Sequence, residues 1–201
     1  MEKSFEVKSG VMVCTDPCYS LDTWCMGIVK NVKNGTWVAR IETSDEGQWG
    51  ERIATLEVRH ADFKDSSLKI VNELPFVGGV DSGQFGFFDK EFYRNDESAK
   101  DLPKYDFGNN FEVESGDVWY RACCDLTLGE ENWGVLPNGV VSSSGYGDGS
   151  YGVYGERNAE GEYIAFKVVF IWGDEGDEFD DEGDVCGVCN NECFDCECDS
   201  E

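Results

Sequence analysis

The chain has 201 residues, enough for one domain with a real core, and its 13 Phe, 8 Tyr and 6 Trp argue for a folded protein despite a formal net charge of −26. Residues 174–201 hold 13 acids and no Lys or Arg, half of that charge, and the rest of the chain is acidic too. So acidic a body repels phosphate backbones and excludes ordinary nucleic-acid binding. The N-terminus MEKSFEVKSG has no apolar signal core and no apolar run is long enough to span a bilayer. A soluble cytoplasmic protein without membrane contact is the expectation, with its 10 cysteines as free thiols or metal ligands.

Strand signals recur along the chain. GVMVC (10–14) is a short apolar run that ends at the turn TDP. GIVKNVKNGTWVARIE (27–42) reads as a hairpin turning at Asn34-Gly35, with Trp37, Ala39 and Ile41 sharing one face. RIATLEVRH (52–60), SLKIV (67–71), DVWYRACCDLTL (117–128), NGVVSSS (138–144) and EYIAFKVVFIW (162–172) read as further strands. In that scheme Cys123 and Cys124 point to opposite faces of a strand and serve packing. Only DKEFYRNDESAK (89–100) reads as a helical turn or two. With nine or ten strands the expected fold is all-β: an antiparallel β-sandwich or partly closed barrel over 1–172, with an acidic, Cys-rich appendage at 173–201.

Three turns carry Asp and Gly in excess of what joining strands requires. CTDPCYS (14–20) offers Asp16 and Tyr19; GGVDSGQFGFFD (78–89) offers Asp81, Ser82 and Gln84 around Gly83, then Asp89; SSSGYGDGSYGVYGE (142–156) offers Ser144, Asp148 and Tyr151 among five glycines. Asp and Ser at strand ends commonly hydrogen-bond nearby backbone, which is one account of all three. The other is that the turns meet at one end of the sheet. Asp16, Tyr19, Asp81, Ser82, Gln84, Ser144, Asp148 and Tyr151 would then line a polar pocket for Ca²⁺, Mg²⁺ or a donor-rich ligand, with Asp148 facing Asp81 and Asp16.

The order D-P-x-Y, V-D-S-G-x-x-x-F-x-D and S-S-G-x-G-D-G-x-Y, as in Asp16 to Tyr19, Val80 to Asp89 and Ser143 to Tyr151, resembles an uncharacterised bacterial and phage protein family of unknown function. The resemblance spans most of 10–172 and implies no activity.

Conventional catalytic patterns are missing. The single histidine, His60, sits at a strand end, no nucleophile elbow is present, and GYGDGSYG lacks the lysine and helix of a phosphate-binding loop. In the tail, Cys186, Cys189, Cys193 and Cys196 form C-x₂-C-x₃-C-x₂-C, thiolate half-sites suited to zinc, although the central spacer is shorter than in ribbon-type sites. The run 174–184 is acidic but lacks calcium-loop register. Three functions remain in competition. One is a binding protein, phage-encoded as the resemblance implies, that takes a small polar ligand or a host protein. The second is an acidic nucleic-acid mimic that occupies a basic host protein. The third is a metal-dependent hydrolase using Asp81 with Asp148.

Overall fold

Apolar alternation builds two antiparallel sheets in the computed structural model, which describes residues 2–64, 68, 70–102 and 116–173. In chain order the strands are β1 (Glu2–Val7), β2 (Val11–Thr15), β3 (Gly27–Lys30), β4 (Gly35–Asp45), β5 (Glu51–His60), β6 (Glu73–Val80) and β7 (Gln84–Asp89). Helices α1 (Asp96–Ala99) and α2 (Asp117–Thr127) follow, then β8 (Trp133–Leu136), β9 (Gly139–Ser143), β10 (Gly149–Arg157) and β11 (Tyr163–Val169). One sheet runs β1-β4-β5-β11-β10-β6 and the other β3-β2-β7-β9-β8. The two form a sandwich with no closed barrel.

The main core lies between the sheets. Phe87 of the second sheet stacks on Phe166 of the first at 5.9 Å, and Phe166 stacks on Trp37 at 5.7 Å. All six residues of β7 are buried, so this strand needs cover on both faces. Helix α2 supplies the outer cover. Its Trp119, Ala122 and Cys123 pack with Val13, Phe88 and Val141, and the Trp119 ring meets Phe88 edge-on at 4.9 Å.

Four sequence expectations change. Segment 117–128 was expected to be a strand and is helical over Asp117–Thr127. Its apolar residues Trp119, Ala122, Cys123 and Leu126 recur at helical spacing, and Asp96 caps the start by accepting from Gly116 N (3.0 Å) and Trp119 N (2.9 Å). Cys123 therefore faces the sheet while Cys124 sits half-buried beside it. The expected 27–42 hairpin is divided: β3 pairs with β2 and β4 with β1 and β5, in different sheets. Asn31, at φ +62°, sits where the chain leaves β3, and the Asn34 side chain instead holds Gly10 N at 2.7 Å. Of 67–71, the described residues 68, 70 and 71 lie outside any strand, and Leu68 packs on the outer face of the first sheet with Tyr154 and Val169. Strands β1, β6, β7 and β8 went unread because each is short, interrupted by Gly or Pro, or charged on its open face.

His60 closes β5 as an ordinary strand end: its Nε2 lies 3.1 Å from the Asn34 carbonyl and its Nδ1 accepts from Asp62 N at 3.0 Å. No described helix is long and apolar enough to cross a membrane.

Candidate functional site

Antiparallel pairing places the C-terminal end of β2, the β6–β7 turn and the β9–β10 turn at one end of the sandwich, because β2, β7 and β9 are neighbours. Asp16 follows β2 and is fully buried. Its Oδ2 accepts from Asp81 N (2.9 Å) and Ser82 N (2.7 Å); its Oδ1 accepts from Ser82 Oγ (2.7 Å) and Cys18 N (2.8 Å). Three donors of the second turn thus fasten it to the first, and the fourth, Cys18 N, closes the first turn on itself.

Gly83, at φ +67°, joins the second turn to the third through both its backbone groups. Its N–H donates to Asp148 Oδ1 (3.0 Å) and its carbonyl accepts from Ser144 N (3.1 Å). Inside the third turn, Ser144 Oγ donates to the Gly147 carbonyl at 2.9 Å, and the Tyr151 hydroxyl is shared between the carbonyls of Gly147 (2.8 Å) and Ser144 (3.2 Å). Gly147 lies at φ +113° with nothing near its missing Cβ, so its glycine answers to backbone conformation alone.

All eight predicted residues therefore sit at this end, in an arrangement other than three carboxylates turned on one another. Asp16 is a buried fastening, while Asp81 and Asp148 are exposed at the rim. Among the described residues no group of three or more His, Cys, Asp or Glu is placed to hold a metal ion, so the expected three-aspartate cation site is not assembled. Cavities of about 600, 370 and 300 Å³ open elsewhere, and none of the three is lined by the eight residues. Cys186, Cys189, Cys193 and Cys196 lie outside the described residues.

Reading 117–128 as a strand hid the residues that close this end from the side. Gln84 Nε2 donates to Ser82 Oγ (3.2 Å) and towards Cys124 Sγ (3.6 Å), and Gln84 Oε1 accepts from Thr127 Oγ1 (3.1 Å). Arg94 Nη1 donates to the carbonyls of Pro17 and Cys18, both at 3.1 Å, and the Tyr93 hydroxyl donates to the Tyr19 carbonyl at 2.7 Å. Helical periodicity in 117–127 was the signal that would have placed Tyr120, Cys124 and Thr127 here.

The thiols at this end are held neutral. Burial, then the neighbouring charge of Asp16, push the Cys18 thiol up to about 12. Burial also raises Cys124, although Gln84 and Tyr120 donate towards its sulfur and pull the other way. Neither is a thiolate nucleophile at neutral pH. Burial raises the Tyr19 hydroxyl as well, with Cys25 and Asp81 beside it adding to the effect.

What this end presents to solvent is acidic and aromatic. Loop 16–26 is pinned to β6 where Gly79 N donates to the Cys25 carbonyl (2.9 Å), and next to Cys25 stands Trp24, 91% exposed. Tyr146, between Gly145 and Gly147, is also exposed and its hydroxyl bonds Glu46 of the β4–β5 turn.

A model of the family described as "Protein of unknown function (DUF4241)" matches residues 5–168, from β1 into β11, a span that contains all three turns and α2. No curated protein matches the chain, and no solved structure does.

Proposed function

We propose a binding role for this chain, which belongs to the DUF4241 family of proteins of unknown function: the end of the sandwich where the three turns meet docks a partner protein. The observation that carries this is the Asp16 fastening. Its four hydrogen bonds, with the two through Gly83 and the one from Gly79 N to the Cys25 carbonyl, hold Asp81, Asp148 and the loop bearing Trp24 on one frame. Trp is one of the residues enriched among interface anchors, and carboxylates around it favour a partner with Lys or Arg at its rim. A protein is favoured over a small ligand because the polar centre is filled by its own hydrogen bonds. The cytoplasm is the proposed setting, in keeping with five free cysteines among the described residues. The tail thiols of Cys186, Cys189, Cys193 and Cys196 are proposed as a zinc site, which metal analysis of freshly purified protein tests.

The binding role is tested by a photo-crosslinking residue at position 24 in the full chain, expressed in its source cells. One dominant adduct is expected, competed by unlabelled wild-type protein and weakened by salt and by Asp81→Asn with Asp148→Asn. Adducts that wild-type protein fails to compete would refute the docking role.

A further inference from the structure

We infer that the overhanging end of the β4–β5 hairpin is a second docking edge, taking an extended, lysine-bearing segment of a partner protein as an added strand. The sheet registers show where pairing among the described residues stops. β1 pairs with β4 only as far as Glu2 opposite Arg40, whereas β4 continues against β5 from Ile41 opposite Leu56 to Asp45 opposite Glu51. Among the described residues, Ile41–Asp45 therefore carry a strand on one side only. A free edge of this kind offers a row of N–H and C=O groups to an incoming strand.

The space beside the edge is shaped for side chains. A cavity of about 370 Å³ opens there between the sheets, walled by Ile41, Ile53 and Trp133 and rimmed by three carboxylates, Glu51, Glu130 and Glu131, against one cation, Arg52, whose Nε donates to the Trp49 carbonyl at 3.0 Å. The chain's own Lys3 shows what this rim accepts. It is the second residue of β1, pairs with Glu131, donates to the Trp133 carbonyl at 3.3 Å and lies 4.4 Å from the Trp133 ring centroid. A strand continuing the line of β1 would lay an apolar residue over Ile41 and Ile53 and bring lysines beside Asp45, Glu51 and Glu130. A second copy of this chain fits poorly, because edge-to-edge pairing would set the same carboxylates against each other. Charge complementarity selects a basic partner.

The test uses the isotope-labelled full chain and a short capped peptide alternating valine with lysine. Amide shifts are expected at 41–45, 51–53 and 130–133. Methylating alternate peptide nitrogens removes the edge bonds and should weaken binding by about tenfold or more in one of the two registers. Replacing the lysines with glutamates should abolish binding, and Glu130→Lys on the exposed rim should weaken it several-fold. Trp24→Ala should leave it unchanged, which separates this edge from the three-turn surface. The proposal is overturned if the peptide moves none of these amides at millimolar concentration, or if both methylated peptides bind as well as the parent. A concentration-dependent dimer whose dissociation moves the same amides would overturn it too.

Discussion

The two ends of the β2–β7 pair use the same device with different results. Asp16 at one end and Asp89 at the other are both fully buried. Asp89 accepts from the backbone N–H groups of Lys8, Ser9 (2.9 Å) and Glu91 (2.9 Å), fastening the β1–β2 turn to the turn that follows β7. Around it the structure closes on itself: Asn138 Nδ2 donates to the Glu6 carbonyl at 3.0 Å and Glu6 N to the Pro137 carbonyl at 3.0 Å. The Asp16 end is fastened as firmly, yet it leaves Asp81, Asp148 and Trp24 outside. A buried Asp collecting backbone donors marks a fixed corner of the fold, and the two corners differ in what they leave exposed.

The largest effects should come from breaking the fastenings themselves. Asp16→Ala and Asp89→Ala each strand several buried donors and should each cost about 3 kcal/mol or more in chemical denaturation. A loss below about 1 kcal/mol at either position would end the equivalence of the two ends. Asp16→Asn keeps one acceptor oxygen and should fall between Ala and wild type.

Next in size is Gly147→Val. Space is open around Gly147, so only the strain of a β-branched residue at φ +113° should register, about 1–3 kcal/mol. A harmless substitution would show that the third turn re-forms without its glycine.

The Asp16 end should also respond to alkali. The Cys18 thiol ionises near 12 in the folded protein against an ordinary value of 9.0, so above pH 9 the unfolded chain loses a proton that the folded chain keeps. Stability should be unaffected by this group below pH 9 and decline between 9 and 12, and Cys18→Ser should flatten that decline. An unchanged slope in the variant would show that Cys18 is ordinary. At neutral pH the same thiol should alkylate more slowly in the folded than in the unfolded protein, despite its partial exposure.

Smallest in stability, and sharpest for function, are Asp148→Asn and Trp24→Ala. The Asn oxygen still accepts from Gly83 N, and Trp24 packs against almost nothing, so both should stay within about 0.5 kcal/mol of wild type. Partner capture through position 24 should fall with Asp148→Asn even so. If Asp148→Asn destabilises strongly and leaves capture intact, Asp148 is another fastening like Asp16.

Local pattern settled a definite part of this protein. Strict alternation in 36–42 and 52–60 made β4 and β5 legible, since a half-buried strand must sort its side chains by face. The shared Asp/Gly chemistry of three turns raised their meeting at one end as one of two accounts, and the pairing of β2, β7 and β9 is what brings them together. Tertiary structure decided the rest. Whether Asp16 is a ligand or a fastening depends on donors at 81 and 82, which no local rule places beside it. Segments 27–30 and 35–45 lie next to each other in sequence but belong to different sheets, because burying both apolar faces outweighed the turn preference of Asn34-Gly35. Residues 117–127 satisfy strand alternation about Val118 and Tyr120 and also helical spacing from Trp119. The outer face of β7 and β9 decided between them, since a helix there buries Phe88 and Val141 that would otherwise face water.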